Sequence, residues 1–373
     1  MRRGVLALAA VVSALVCAAA TAAPPPVSAP AYVVRGGPDD LVLAVRAPDA
    51  ERAPASITKL MTVLVALEHA RLGEIVTVSP QAASVGESSV HLRPGERLTV
   101  RDLAIAALVP SANDAATALA AYVGHGSISR FVALMNAKAR ALGLTRTHFA
   151  NPHGLDTRGH FSSARDVTTL LDAALRNSFI RMWSTRSTAT IAGGRTLEST
   201  DDLLRELPLI GAKTGHTNAA GWSQVAAIRK GSVQITASVL GAQSEEQRNS
   251  DLARLLAWGL AQYHQVVAVS GKRVYGLAQT GYGRAPVKLV AQRDVVRPVR
   301  VGSPLVERVV VGTALALPVT RGQRVGEVRV YSGRRLVARA PLVTATAVSE
   351  VDTLGKIGWY ARRTVHHLAG LVS

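Results

Sequence analysis

Near Val266 the periodicity of the chain changes, and that change rules out one uniform fold. Downstream, helical spacing gives way to short runs: RVYGLAQ, VKLVAQ, PVRVG, LVERVVV, TALALPV and GEVRVYSGRRLVARAPL. Gly and Pro punctuate them, so residues 266–347 read as a small all-β domain. Upstream, AYVVRGGPDDLVLAVRAP predicts two strands around a Gly-Gly-Pro-Asp-Asp turn. Ser56–Ala70 has Leu60, Leu64 and Leu67 on one helical face. SSVHLRPGERLTV reads as a hairpin, and Arg101–Val109 as a short helix stopped by Pro110. Asn113–Val123 and Ser129–Leu142 resume helical spacing, and FSSARDVTTLLDAAL is a serine-capped helix. WSQVAAI and SVQITASVLGA are strands, followed by a helix over Glu245–Ala261. Helices thus mix with a sheet whose strands come from both ends of residues 31–262, an α/β (α+β) domain.

Both chain ends differ from the middle. Arg2 and Arg3, an apolar run from Val5 to Ala20 and then small residues read as a signal peptide over 1–23. The lone Cys17 lies inside it, so a processed chain has neither disulfides nor thiol chemistry. Residues 24–30 form an extended leader. At the other end, residues 352–373 place Leu354, Ile357, Ala361, Val365, Leu368 and Val372 on one helical face, with Lys356, Arg363, His366 and His367 opposite. That amphipathic helix is too polar to span a bilayer and suits an interface. Net charge is +18, and residues 264–373 hold 17 Lys and Arg against 5 Asp and Glu. The excess favours an anionic membrane or wall surface. Export and an aromatic content of 4% argue against a nucleic-acid partner.

Lysine is scarce: 7 residues against 36 Arg. One lies in PASITKLMT, where Ser56 and Lys59 are nearly one helical turn apart and share a side. A serine hydroxyl needs a base before it attacks carbon. Lysine serves once burial and a neighbouring cation depress its pKa; arginine does not. In VPSANDAATALA, Ser111 and Asn113 sit on the connection between two helices. The serine suits proton relay; the asparagine suits a substrate carbonyl or Lys59, or simply an N-cap. In GAKTGHTNAAGW, Lys213, Thr214 and Gly215 precede a strand expected to begin near Gly221. The lysine and hydroxyl suit a carboxylate, and the glycine lets a substrate strand approach. Each motif alone fits a capped helix or an exposed turn. Their conjunction in an exported chain is the set found in penicillin-binding proteins and class A β-lactamases. His69, His91, His148 and His160 have no metal-ligand spacing, so neither metal nor other cofactor is expected.

From Tyr32 to Gly259 the chain resembles the serine D-alanyl-D-alanine carboxypeptidases, the low-molecular-mass penicillin-binding proteins. PASITKLMT, SANDAATALA, MNAKARALGLTRTHFANPHGLD, SARD, AKTGHTNAAGW and VLGAQSEEQR carry the resemblance. It implies a serine β-lactamase/D,D-peptidase-like catalytic domain, then a β sandwich and an anchoring helix. It implies that Ser56 attacks the D-Ala-D-Ala bond of peptidoglycan stem peptides, with Lys59 as base, Ser111 passing a proton and Asn113 orienting. The Ser56 and His216 backbone N–H groups would form the oxyanion hole. Lys213, Thr214 and Arg248 would hold the terminal carboxylate, and β-lactam antibiotics would acylate Ser56. Ala112 stands where relatives commonly carry Gly, and Asp202 where many carry Asn. NPHGLD has no acid-base role and shapes a loop beside the cleft. D,D-endopeptidase, β-lactamase and a silent wall-binding protein are the competing functions.

Overall fold

The computed structural model describes residues 12–15, 23–312 and 314–369. Most of the expected signal peptide, Cys17 included, lies outside them, as do residues 370–373 of the expected tail helix. Two compact units divide the chain: Ala22–Gln262, and Tyr263–Ser373 together with Met1–Thr21.

The first unit is built on β1 (Ala31–Gly36), β2 (Leu41–Arg46), α1 (Thr58–His69), α2 (Val100–Leu108), α3 (Asn113–Val123), α4 (Ile128–Ala141) and α5 (Ala164–Ala174). Then come β3 (Leu209–Thr217), β4 (Gly221–Lys230), β5 (Val233–Ala242) and α6 (Glu245–Ala261). Its antiparallel sheet runs β2-β1-β5-β4-β3, so the first and last strands of this unit pair with each other. Side chains of a strand alternate between faces, and β5 shows both. Ile235 meets Gly259 of α6, while Thr236 and Ser238 hydrogen-bond Asp172 and Ala164 of α5. The sheet is therefore covered by α6 on one side and by the helical cluster on the other. Within that cluster α1 is buried from Thr58 to Ala66, against α2, α3, α4 and α5. Asp251 of α6 accepts from the Ser28 and Ala29 backbone N–H groups, which pins the segment entering β1.

Local chemistry explains most boundaries. Thr99 and Asp102 form a reciprocal capping box on α2. Ser163 caps α5 and Ser244 caps α6 through N–H groups in the first turn. Three expectations are corrected. The SSVHLRPGERLTV stretch is no hairpin: only Arg97–Thr99 is a strand, paired with Ile75–Thr77. Buried Asp114 takes the Val90 and Leu92 N–H groups and the Ser89 hydroxyl, so those donors need no strand partner. Ser56 belongs to a short 3-10 turn, Ala55–Ile57, and α1 starts only at Thr58. Lys213-Thr214-Gly215 is no exposed turn: it lies inside a strand, β3, and the strand expected near Gly221 begins there, as β4.

The second unit contains β6 (Tyr263–Val269), β7 (Val274–Thr280), β8 (Val287–Ala291), β9 (Val295–Arg300), β10 (Leu305–Val311), β11 (Arg324–Ser332) and β12 (Arg335–Thr344). One sheet runs β10-β11-β12-β8-β7, with Val12–Leu15 beside β10 and Ala314–Leu315 beside β7. β6 and β9 form the opposing layer. Val269 and Val295 of that layer share a core with Val309, Val328, Val330 and Leu342, as a sandwich requires. α7 (Thr353–Ala369) follows. Leu354, Ile357, Tyr360 and Val365 are exposed along it, while Trp359 packs edge-on to Tyr282 in the loop after β7. None of the described helices is long and apolar enough to cross a membrane.

Candidate active site

Two lysines are buried at the junction of α1, the turn before α3, and β3. Lys59 is wholly inaccessible; its Nζ lies 2.6 Å from Ser56 Oγ and 2.8 Å from the His153 carbonyl oxygen. The 3-10 turn and the first turn of α1 set that geometry, by giving Ser56 and Lys59 a common face. Burial pushes the Lys59 ammonium well below its usual range, and the Lys213 charge pushes it further; Asp114 and Glu87 oppose. The first cause is the cost of keeping a cation out of the reach of water, and the others are the charges around it.

Lys213 of β3 is also buried. Its Nζ donates to Ser111 Oγ at 2.9 Å and to the Thr214 carbonyl at 3.1 Å. Burial lowers its pKa to about 7, with Asp201 raising and Arg248 lowering it. Ser111 is thus held by the lysine of β3. Its φ of +63° lies in the left-handed region, as does the +46° of Ala55 next to Ser56. Strain of this kind in a non-glycine residue costs about 1–3 kcal/mol and persists where surrounding structure enforces it. Asn113 Nδ2 donates to the Gly86 carbonyl, and its buried Oδ1 has no partner. As placed, Asn113 offers an acceptor, suited to a substrate N–H or to the Lys59 amine.

β3 is the edge strand of the sheet. An edge presents backbone groups to an added extended chain. Gly215 suits that approach: a Cβ at that position would stand a tight 3.0 Å from both the Ser56 nitrogen and the Ala55 methyl. The glycine brings the strand carrying His216 against the turn carrying Ser56. Ser56, Ser111, Thr214, Gly215, His216 and Arg248 line one open cavity of about 420 Å³, and Lys59, Lys213 and Asn113 are buried behind it. All nine expected residues therefore converge.

Sequence reasoning missed the walls. Trp222 lines the same cavity, stacked on His216 with ring centroids 4.2 Å apart. The Arg248 guanidinium lies 5.6 Å from its ring centroid and donates to Glu245 and Asn249, a cation–π contact that fixes its aim. Thr200 shares a hydrogen bond with Thr214 at 2.8 Å, and Ser88 and Glu245 complete the lining together with Asp202, which the sequence had singled out. The register of β3 on β4, His216 opposite Trp222, was the available signal, and it becomes visible only once the motif is placed in a strand.

Comparison with known proteins fits this geometry. A sequence profile for D-alanyl-D-alanine carboxypeptidase, peptidase S11, matches residues 18–244. A profile for the C-terminal domain of penicillin-binding protein 5 matches residues 264–350. D-alanyl-D-alanine carboxypeptidase DacD of Salmonella typhimurium is 34% identical over 359 residues, covering 91% of this chain and 90% of the relative. Penicillin binding protein 5 from Haemophilus influenzae aligns with a TM-score of 0.64 at 26% identity, covering 88% of this chain and 100% of that one. A D-alanyl-D-alanine carboxypeptidase from Mycobacterium tuberculosis aligns with a TM-score of 0.62 at 32% identity, over 65% of this chain and 95% of that one. The chain belongs to the D-alanyl-D-alanine carboxypeptidases of peptidase family S11.

Proposed function

We propose that this is an exported carboxypeptidase that removes the terminal D-Ala from peptidoglycan stem peptides through an acyl-enzyme on Ser56. The observation that carries the reading is the 2.6 Å approach of a fully buried Lys59 amine to Ser56 Oγ. Neutral Lys59 takes the Ser56 proton as Oγ bonds to the carbonyl carbon. The oxyanion receives the Ser56 and His216 backbone N–H groups. The carbon–nitrogen bond then breaks, and a proton passed by Ser111 reaches the departing D-Ala amine. Water adds to the Ser56 ester and releases the shortened peptide. Asn113 orients the substrate amide and Lys59. Lys213, Thr214 and Arg248 hold the terminal carboxylate, and Gly215 lets the substrate lie along β3. A β-lactam, whose strained amide imitates the same bond, acylates Ser56 and stays.

The test is Ser56→Ala. The variant should release no D-Ala from a D-Ala-D-Ala peptide and take no label from a fluorescent penicillin; persistent labelling would remove Ser56 from the role. Rapid penicillin turnover by the intact enzyme would favour β-lactamase instead, and hydrolysis of cross-linked peptides would favour the endopeptidase. The basic excess and the exposed apolar face of α7 support attachment to the outer face of an anionic plasma membrane. Deleting residues 352–373 should move the enzyme to the soluble fraction, and unchanged membrane retention would refute that attachment.

A further inference from the structure

We propose that His160 is a positioning residue for acylation: its ring locks the 148–160 loop onto α1, so that the His153 carbonyl holds the Lys59 amine with its lone pair toward Ser56. The inference rests on the reading of Lys59 as base. His160 is buried between the two elements it joins. Its Nδ1 accepts the Ala150 backbone N–H at 2.9 Å, so the neutral ring carries its proton on Nε2. That proton is donated to Thr58 Oγ1, also at 2.9 Å, one residue from Lys59.

The loop between these anchors is fully specified. Asn151 Oδ1 accepts from the His153 and Gly154 N–H groups, and its Nδ2 donates to the Leu155 carbonyl and to Thr157. The Pro152 carbonyl accepts from Thr62 Oγ1 at 2.5 Å, and the next carbonyl, of His153, accepts from Lys59 Nζ at 2.8 Å. Thr58, Lys59 and Thr62 fall within the first turns of one helix, so the loop grips α1 at three adjacent places. A neutral amine has two N–H bonds and one lone pair. With one N–H directed at the His153 carbonyl, the rotation that turns the lone pair to the Ser56 hydroxyl is favoured before substrate arrives, which is where orientation lowers a barrier.

The ring is neutral for reasons visible around it. Burial lowers its pKa to about 4, with His148 opposing its charge and Asp156 favouring it. A second proton on Nδ1 would face the Ala150 N–H. Lys59 itself feels Lys213, Asp114 and Glu87, and His153 feels Lys59 and His160.

The test uses the full-length enzyme and two substitutions. His160→Phe removes both ring contacts; His160→Asn keeps an acceptor for the Ala150 N–H. Acylation by a fluorescent penicillin is followed against pH, together with kcat and KM for a D-Ala-D-Ala peptide. His160→Phe should slow acylation about 10- to 100-fold and displace the acid limb of its pH profile, with KM little changed, and His160→Asn should recover much of the rate. Folded variants with wild-type rate and pH profile would overturn the proposal. Should His160→Phe fail to fold, Thr58→Val removes the other anchor and must show the same displaced limb. Lys59→Ala separates the two ideas. An inactive Lys59→Ala beside unaffected His160 variants defeats the clamp alone; an active Lys59→Ala defeats the base and the clamp with it.

Discussion

Replacing Lys213 by Met should stabilise the protein at pH 7 while destroying its activity. The ordinary lysine value is 10.5, and burial brings Lys213 to about 7. At about 1.4 kcal/mol per pH unit, folding against that gradient costs roughly 4 kcal/mol at pH 7. Methionine fills similar space with no charge to desolvate. It forfeits the bonds from Nζ to Ser111 and to the Thr214 carbonyl, about 1 kcal/mol each, so the net gain is about 2 kcal/mol. The dependence on pH is the sharper signature. Between 7 and 10.5 the unfolded chain holds the proton that the folded chain has lost, so wild-type stability rises with pH across that window. Methionine has no such slope, and the advantage of the variant should shrink by about 1.4 kcal/mol per pH unit and reverse near about pH 9. Urea unfolding followed by tryptophan fluorescence reads the relevant unit, because Trp183, Trp222 and Trp258 all lie in Ala22–Gln262. A variant no more stable than wild type at pH 7, or a difference constant from pH 7 to 10, would refute the reasoning.

The same two lysines shape the rate profile. Lys59 must be without its proton to act as base, and kcat/KM should fall above about 7 as Lys213 loses the charge that holds the substrate carboxylate; a profile rising unbroken to pH 10 would contradict the carboxylate role. Gly154→Ala should lower stability by several kcal/mol, on the order of 3 or more, because φ is +97° and a Cβ would meet the Ala55 carbonyl oxygen at 2.0 Å. Thermal denaturation checks it, and an unchanged Tm would show that the loop does not seat against the turn beside Ser56.

The two-unit division and most elements were legible because each carried its own local signal. The helix over Glu245–Ala261 has a serine cap, and the strand over Leu305–Val311 a dense β-branched run; both fall as read. The failures share a physical cause. Backbone donors near Ser88 are satisfied by Asp114, a residue more than twenty positions away, so a stretch with strand-like composition forms no ladder there. Lys213-Thr214-Gly215 looked like a turn because glycine weakens a strand signal. Gly215 serves contact with Ala55 and Ser56, which local sequence cannot reveal. The chemistry was legible in part: the scarcity of lysine marked Lys59 and Lys213, while the packing of Trp222 on His216 and of His160 on Thr58 had no spacing to announce it.

With only seven lysines, NMR of the full-length enzyme labelled with carbon-13 at lysine Cε can follow each amine through a pH titration. The account predicts one resonance titrating near 7, lost in Lys213→Met, and a second far below 10.5, lost in Lys59→Arg. Seven resonances all titrating near 10 would mean that Lys59 is an ammonium ion at neutral pH, and it could not then take the Ser56 proton.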